Sequence, residues 1–228
     1  MELLTDIERS LVYDEIEVLR DREAWMRSVV EPLAHLDLTK PSVLPGWSIA
    51  HVLVHLARNA DSHRRRIEAS ARGDMVDQYV GGIAGRAQEI EEGVARPAPE
   101  IVQDVVASSL QLDASWSSIG DAHWLVASRD VGGMIRTLRT LPLRRLQEVE
   151  VHVVDLGIGV TQAMFSDRFV AQYLEPMRAS ASKRLPRGAE LPLAMPDVRE
   201  ELWWLYGRGN FDEYPQLAPL GASTDRGA

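Results

Sequence analysis

The stretch LQEVEVHVVDLGIG, residues 146–159, combines a helical pattern of apolar residues with a carboxylate and an imidazole four residues apart, Glu148 and His152. Four-residue spacing places two side chains on the same face of a helix, one turn apart. The pattern predicts a helix from about Leu143 to Leu156 that stops at Gly157. One face of this helix therefore offers a pair of side chains that can hold a metal ion.

A second stretch, GWSIAHVLVHLARNA at residues 46–60, repeats the four-residue spacing with His51 and His55. Ser48 is a typical N-cap, and it predicts a helix that runs to about Gly73. Two helices of one bundle can bring two histidines and a glutamate to a common point, which is the ligand count of a catalytic zinc site with one open position. The alternative is that these are surface or hydrogen-bonded core residues without a ligand.

Composition limits the classes of partner. The chain has 228 residues and a net charge of -9, which argues against nucleic acid as the main partner. The short arginine runs Arg64–Arg66 and Arg144–Arg145 are interpreted as solvated helix faces. The first residues lack the pattern of a secretory signal, and no segment approaches the roughly 20 apolar residues needed to cross a bilayer. We therefore expect a cytoplasmic protein with no membrane partner.

The absence of cysteine excludes disulfides, thiolate metal ligands and a cysteine nucleophile. A metal ion would have to be held by histidine and carboxylate groups. Thiol chemistry would need a thiol supplied by another molecule.

The remaining pattern divides the chain into two parts. The first 160 residues are mostly helical, with a third helical region from Ile83 to about Ser118 that is interrupted near Pro97 and Pro99. The segment Asp121–Leu141 reads as loop with short extended pieces. These features predict a metal-binding helical bundle over residues 1–160.

After the bundle the pattern changes. It predicts a helix over Asp167–Arg184, a short strand over Glu190–Met195 and a helix over Val198–Tyr206. Residues 161–228 are therefore expected to form a small α+β C-terminal domain, and the fold class is mainly α.

Several motifs together resemble the mycothiol-dependent maleylpyruvate isomerase family. They are Pro45–Trp47 with a histidine eight positions after the tryptophan, the block RGDMVDQYVGGIAGRAQEIEEGVARP at 72–97, EVEVHVVDLG at 148–157, and GRG at 207–209. The resemblance covers about Leu44 to Leu220. It implies a DinB-like four-helix bundle followed by a smaller C-terminal domain, although the C-terminal part of this chain is short.

The resemblance also implies specific roles for residues of this chain. One zinc ion per chain would be held by His55, Glu148 and His152, and the essential arginine of the family falls on Arg208. Mycothiol would act as the thiol cofactor or cosubstrate. The implied reaction is the cis-trans isomerisation of maleylpyruvate to fumarylpyruvate by reversible thiolate addition.

Two alternatives to isomerisation stay open. One is a mycothiol S-transferase that acts on an electrophile in detoxification or in natural-product biosynthesis, and the other is a DinB-like metal-binding protein without enzymatic activity. For either enzyme the expected partners are mycothiol and a small-molecule electrophile. The expected assembly is a monomer or a weak homodimer.

Other residues near these motifs are candidates for lesser roles. His51 lies one turn before His55 and could be a fourth ligand or line a pocket, and Asp155 could orient His152. Asn59 and Tyr79 are candidates for cofactor binding, with a helix-surface amide and a packed loop tyrosine as the alternatives. For Arg208 the alternative role is to neutralise the carbonyl groups at a helix end.

Overall fold

The computed structural model describes residues 4–218. Contacts between residues divide the chain into two compact units, Met1–Val160 and Thr161–Ala228. The outermost residues of the two predicted domains, 1–3 and 219–228, lie outside the described range. Within that range, no helix combines the length and the apolar character needed to cross a bilayer.

The described part of the first unit contains five α-helices: α1 (Asp6–Val30), α2 (Ile49–Ser70), α3 (Gly82–Val94), α4 (Ala98–Trp116) and α5 (Leu141–Asp155). Helix α2 packs against α4 and α5, α1 packs against the same two helices, and α3 lies on α2. Helices α1, α2, α4 and α5 therefore form a four-helix bundle. The predicted mainly α fold class is confirmed.

The connection between α4 and α5 carries a short antiparallel hairpin. Strand β1 (Ala127–Arg129) pairs with β2 (Ile135–Thr137), and Ser128 lies opposite Arg136. This hairpin lies within the segment where the sequence predicts loop with short extended pieces. The turn between its strands forms part of the rim of a cavity described below.

The interior of the bundle is apolar at the positions expected from the helical repeat. Val52 and Leu53 of α2, Val105 of α4 and Val149 and Val153 of α5 are all buried in one cluster. Burial of each large aliphatic side chain stabilises the folded state by about 1.5–3 kcal/mol. This packing fixes which faces of α2 and α5 lie toward each other.

A buried ionic network also joins the helices of the bundle. The Arg145 side chain is fully buried; its Nε donates to Glu23 Oε1 at 2.6 Å and its Nη1 donates to Asn59 Oδ1 at 3.0 Å. Ser109 Oγ of α4 donates to Glu23 Oε2 at 2.6 Å. The interpretation of Arg144–Arg145 as a solvated helix face is wrong for Arg145, because its charge is neutralised inside the bundle by a glutamate 122 residues away.

The second unit contains helices α6 (Asp167–Ala181) and α7 (Val198–Leu205). Its core is formed by residues that include Leu185, Met195 and Trp204. Trp204 Nε1 donates to the carbonyl oxygen of Pro215 at 2.9 Å, and Trp203 contacts Phe165 with ring centroids 6.0 Å apart. Both tryptophans are thus buried among residues of their own unit.

The predicted strand over Glu190–Met195 is wrong, because residues 191–195 have no regular secondary structure. The Pro192 carbonyl accepts a hydrogen bond from Arg178 Nη2 at 2.7 Å, and the Met195 amide donates to Glu201 Oε2 at 3.1 Å. Side chains of α6 and α7 therefore satisfy backbone groups that a neighbouring strand would otherwise pair. Proline also removes one amide donor from the segment.

Candidate metal centre

Two helices bring three potential metal ligands together. Glu148 Oε2 of α5 lies 2.8 Å from His55 Nε2 of α2 and 3.3 Å from His152 Nε2 of α5. A ligand atom from each residue lies within 4.8 Å of the other two. Tetrahedral ligands about 2.0–2.1 Å from zinc are roughly 3.3 Å apart, so the three groups can converge on one ion after small adjustments.

Asp155 fixes the ring of His152 from the other side. His152 Nδ1 donates to Asp155 Oδ2 at 2.9 Å, and Asp155 is fully buried at the C-terminal end of α5. With Nδ1 protonated, Nε2 is the nitrogen that faces Glu148 and His55. A carboxylate behind a histidine is the usual arrangement that orients a metal-binding imidazole.

The three groups have strongly displaced pKa values. Burial lowers the pKa of His55 to about 4, although its hydrogen bond with Glu148 acts in the opposite direction. Burial also acts to lower the pKa of His152, but hydrogen bonds with Asp155 and Glu148 outweigh it and raise this pKa to about 9. At neutral pH the group without a metal therefore holds one neutral and one charged histidine.

Glu148 carries the compensating charge. Burial acts to raise the pKa of its carboxyl group, but hydrogen bonds from His152 and His55 outweigh burial and hold it well below its usual range. The carboxylate is therefore ionised. A bound cation would take the place of the proton on His152 beside this carboxylate, which matches the way metal binding releases protons from its ligands.

The side of His55 away from Glu148 is covered by Arg86 and Trp47. Arg86 Nη2 of α3 lies 3.2 Å from His55 Nδ1, and the Arg86 guanidinium lies 5.6 Å from the centroid of the Trp47 ring. Trp47 contacts His55 edge-on with centroids 5.8 Å apart. A metal at Nε2 requires a proton on Nδ1. The Arg86 guanidinium would therefore have to move away from Nδ1 when a metal binds.

Comparisons with known proteins show which family the chain belongs to. The family model described as the mycothiol maleylpyruvate isomerase N-terminal domain matches residues 19–157, which include all three potential ligands. The chain belongs to this family. The resemblance predicted from the sequence is confirmed, and membership groups the chain with isomerase-like enzymes.

Solved structures agree on the fold. The crystal structure of the mycothiol-dependent maleylpyruvate isomerase superposes with a TM-score of 0.73 at 18% sequence identity, covering 90% of this chain and 96% of the other. A crystal structure of a histidine-to-alanine mutant of a protein with the same name gives a TM-score of 0.74 at the same identity and coverage. No curated protein was found to match the chain.

His51, the possible fourth ligand, lies outside the group of converging side chains. Its Nδ1 lies 2.7 Å from Ser48 Oγ and 3.2 Å from the Ser48 amide, while Ser48 Oγ accepts from the His51 amide. This reciprocal arrangement caps the N-terminus of α2. His51 also stacks on Trp47 with ring centroids 6.0 Å apart, so it supports the helix that carries His55.

The two residues predicted to bind the cofactor are both buried. Asn59 lies one turn after His55, and its Oδ1 accepts the hydrogen bond from Arg145. Tyr79 lies between α2 and α3, where its ring centroid is 5.9 Å from the Arg86 guanidinium and burial raises the pKa of its hydroxyl. Asn59 thus contributes to the bundle network, and cofactor binding by either residue stays a prediction.

Arg208 follows the end of α7 in the second unit. Gly207 and Gly209 have φ angles of 75° and 74°, in the left-handed region that glycine adopts without strain. Arg208 Nη1 donates to the carbonyl oxygen of Tyr206 at 2.8 Å. This contact agrees with a role at the helix end, and the predicted catalytic role of Arg208 stays a prediction.

Arg86, Trp47 and Arg66 lie in the region around the site, but the sequence pattern did not predict this. Arg66 was interpreted as part of a solvated helix face, which is wrong, because its side chain is buried. The helical repeat could have indicated that Arg66 lies on the same face of α2 as His55. Arg66 lies eleven residues after His55, or three turns along α2, and therefore on the same face.

Proposed function

We propose that the protein is a zinc- and mycothiol-dependent isomerase that converts maleylpyruvate to fumarylpyruvate. The observation that carries this proposal is the convergence of His55, Glu148 and His152 on one point within the domain matched by the family model. The solved structures with the same fold are described as mycothiol-dependent maleylpyruvate isomerase. The alternative outcome is that the same site transfers the thiol to an electrophile.

The donor set fits zinc better than magnesium or calcium. Two imidazole nitrogens and one carboxylate are typical ligands of catalytic zinc, whereas magnesium and calcium prefer oxygen ligands alone. His55, Glu148 and His152 would hold the ion. When bound, zinc would lower the pKa of a thiol at its open position, so that the thiolate forms at neutral pH.

A thiol nucleophile must come from outside the chain, because the sequence contains no cysteine. Mycothiol, when bound, would supply a thiolate for reversible addition to the cis double bond. The π electrons of that bond would move to the conjugated carbonyl oxygen, and after rotation about the resulting single bond they would return to form the trans double bond and release the thiolate unchanged.

Residues of the chain would control this chemistry through position and charge. Asp155 would keep the proton of His152 on Nδ1, so that Nε2 stays directed at the centre. Trp47 covers one side of His55 and would limit access of water there. Exclusion of water strengthens the electrostatic interactions that favour the thiolate and the enolate.

Arg208 is proposed as the cationic group that stabilises the substrate carboxylate or the developing enolate. A guanidinium grips a carboxylate through two parallel hydrogen bonds, which lysine cannot reproduce. We therefore expect Arg208→Lys and Arg208→Ala to reduce turnover by roughly 100-fold, the scale for loss of one preorganised charged donor. Zinc content and the unfolding curve should stay unchanged. Near-normal kinetics for Arg208→Ala would show that Arg208 has no catalytic role and serves only the end of α7.

The decisive assay uses purified protein with maleylpyruvate, with and without mycothiol. Formation of fumarylpyruvate that requires mycothiol and leaves its concentration unchanged supports the isomerase. Stoichiometric loss of the thiol supports the S-transferase instead. Turnover by the dialysed protein without any thiol would contradict both enzymatic activities.

A further inference from the structure

A cavity of about 220 Å³ lies beside the candidate metal centre and reaches Glu148. Its other walls come from α2, through His63 and Arg66, from α5, through Arg144, and from Gln78 and the turn between β1 and β2, at residues 130–134. Arg144, Glu148 and His152 follow one another at four-residue intervals, so they form a continuous line on one face of α5. The cavity is therefore an extension of the same inter-helical face that carries the three potential ligands.

The charge of Arg66 is not balanced by an acidic partner. Arg66 is only 4% exposed; its Nε donates to the Ser62 carbonyl oxygen at 3.2 Å and its Nη2 lies 3.3 Å from His63 Nδ1. Among residues 4–218 both of these hydrogen-bond partners are uncharged, and Asp130 attracts the guanidinium only through space. Burial lowers the pKa of Arg66 to about 10, which still leaves the guanidinium charged at neutral pH. A buried and unpaired cation is costly unless an anion joins it.

The acidic groups at the cavity wall are already neutralised by other partners. Asp130 Oδ2 accepts from Arg136 Nε at 2.7 Å, and its Oδ1 accepts from the amides of Gly132 and Met134 at 3.0 and 2.9 Å. Glu148 is held between the two histidines. Arg144 adds a second guanidinium to the wall. The net effect is a small cavity with excess positive charge.

His63 supplies a further polar group. Its Nδ1 lies 2.9 Å from the Asn59 carbonyl oxygen, while its buried Nε2 has no hydrogen-bond partner within the described part of the chain. Buried polar atoms in folded proteins are nearly always hydrogen-bonded. Because Nδ1 donates to the Asn59 carbonyl oxygen and burial lowers the pKa of His63 well below its usual value, the ring is neutral and Nε2 is an acceptor. A water molecule or a hydroxyl group of a ligand would therefore donate to this atom.

The volume restricts what can enter. Pockets for drug-sized ligands usually have about 300–1,000 Å³, so this cavity is too small for an entire sugar-linked thiol. A short organic acid fits this volume better. Two guanidinium groups at the wall favour a ligand that carries a carboxylate, because each guanidinium can form two parallel hydrogen bonds with a carboxylate group.

We propose that Arg66 and Arg144 form a subsite that binds a carboxylate of the electrophilic substrate and orients its double bond toward the candidate metal centre. The proposal rests on the proposed function in taking the electrophile to be a short unsaturated acid. Arg66 would act from the floor and Arg144 from the more accessible wall. The subsite would favour acids over neutral electrophiles of the same size.

The test measures binding of maleate, a short cis-dicarboxylate, to the zinc-loaded protein by isothermal titration calorimetry. Arg66→Gln and Arg144→Gln should each weaken binding by roughly 10- to 100-fold, the range for loss of a charged hydrogen-bonding group. Arg64→Gln is the matched control, because Arg64 lies in the same run but is paired with Glu68 at 2.6 Å on the surface. Its affinity should equal that of the wild-type protein.

Maleamide, the uncharged diamide, should bind equally weakly to the wild-type protein and to both cavity variants. Zinc content is measured for every variant. If the metal alone binds the carboxylate, the wild-type protein and all variants with the same zinc content will bind maleate with equal affinity. Equal maleate affinity in the wild-type protein, Arg66→Gln and Arg144→Gln would overturn the proposal, as would no binding of maleate to the wild-type protein. Intact maleate binding without isomerisation would refute the proposed function and leave this subsite in place.

Discussion

His152 illustrates how the immediate neighbours of one side chain set its protonation and its orientation. Its hydrogen bonds with Asp155 and Glu148 raise its pKa to about 9, although burial alone would lower it. The same contacts hold the ring with Nε2 toward His55. An incoming metal ion must displace the proton on Nε2, but it meets a ring that needs no reorientation.

The contact between Asp155 and His152 can be tested with an isosteric change. Asp155→Asn keeps the shape of the side chain but removes the charge that favours the Nδ1 proton, so zinc affinity should fall by about 10- to 100-fold. Competition with a chromophoric chelator measures this change. Glu100→Gln, which removes an exposed carboxylate from the first turn of α4, is the control. Equal affinity in Asp155→Asn and the wild-type protein would mean that Asp155 serves only the end of α5.

For individual residues, sequence patterns predicted the spacing of side chains along a helix but not the partners that those side chains contact. The four-residue intervals of His51, His55, Glu148 and His152 indicated two helix faces, and three of these side chains, those of His55, Glu148 and His152, lie together in the structure. They could not show that His51 turns back to the Ser48 cap while His55 turns toward Glu148. The partner of His55 lies 93 residues away in sequence, so this contact is a tertiary one that a local pattern does not contain.

The helices α1 and α5 are joined by the buried pair of Glu23 and Arg145 rather than by apolar packing alone. Arg145 also donates to the Leu56 carbonyl oxygen at 2.9 Å, so the pair reaches α2 near His55. A buried pair does not by itself guarantee stability, because both charges lose their hydration. Its geometry nevertheless fixes how α2 and α5 align.

Removal of one partner should expose this role. We expect Glu23→Gln and Arg145→Met each to lower the free energy of unfolding by about 3–5 kcal/mol, because each leaves an unpaired charge or unmatched polar groups inside the bundle. Urea denaturation measures the effect. The double variant should lose less than the sum of the two single losses, whereas strict additivity would show that the two side chains are energetically independent.

The helices were predicted well because their apolar repeat and their caps are local signals. Ser48 begins α2 as expected, and the break predicted near Pro97 and Pro99 separates α3 from α4. The strand predicted over Glu190–Met195 failed because a strand needs a partner, and α6 and α7 supply side-chain partners instead. Arg145 was misjudged for the same reason, since Glu23 lies far from it in sequence.

At the scale of the whole molecule, metal binding and folding should be linked. The potential ligands come from α2 and α5, which pack together only in the folded bundle, so a bound ion stabilises the native state. At a free metal concentration 1,000 times the dissociation constant this stabilisation is about 4 kcal/mol. Chelation should therefore lower the midpoint of thermal unfolding by several degrees. The His152→Ala variant should show no such shift, and an unchanged midpoint in the wild-type protein would place any bound metal elsewhere.

The metal content of the purified protein decides whether His55, Glu148 and His152 form a metal centre. Inductively coupled plasma mass spectrometry should find about one zinc per chain in the wild-type protein and in His51→Ala, whose side chain belongs to the cap of α2. His55→Ala and His152→Ala should each lose most of the zinc while they remain folded. Full zinc content in both of these variants, or no zinc in the wild-type protein after reconstitution, would contradict a metal centre formed by His55, Glu148 and His152.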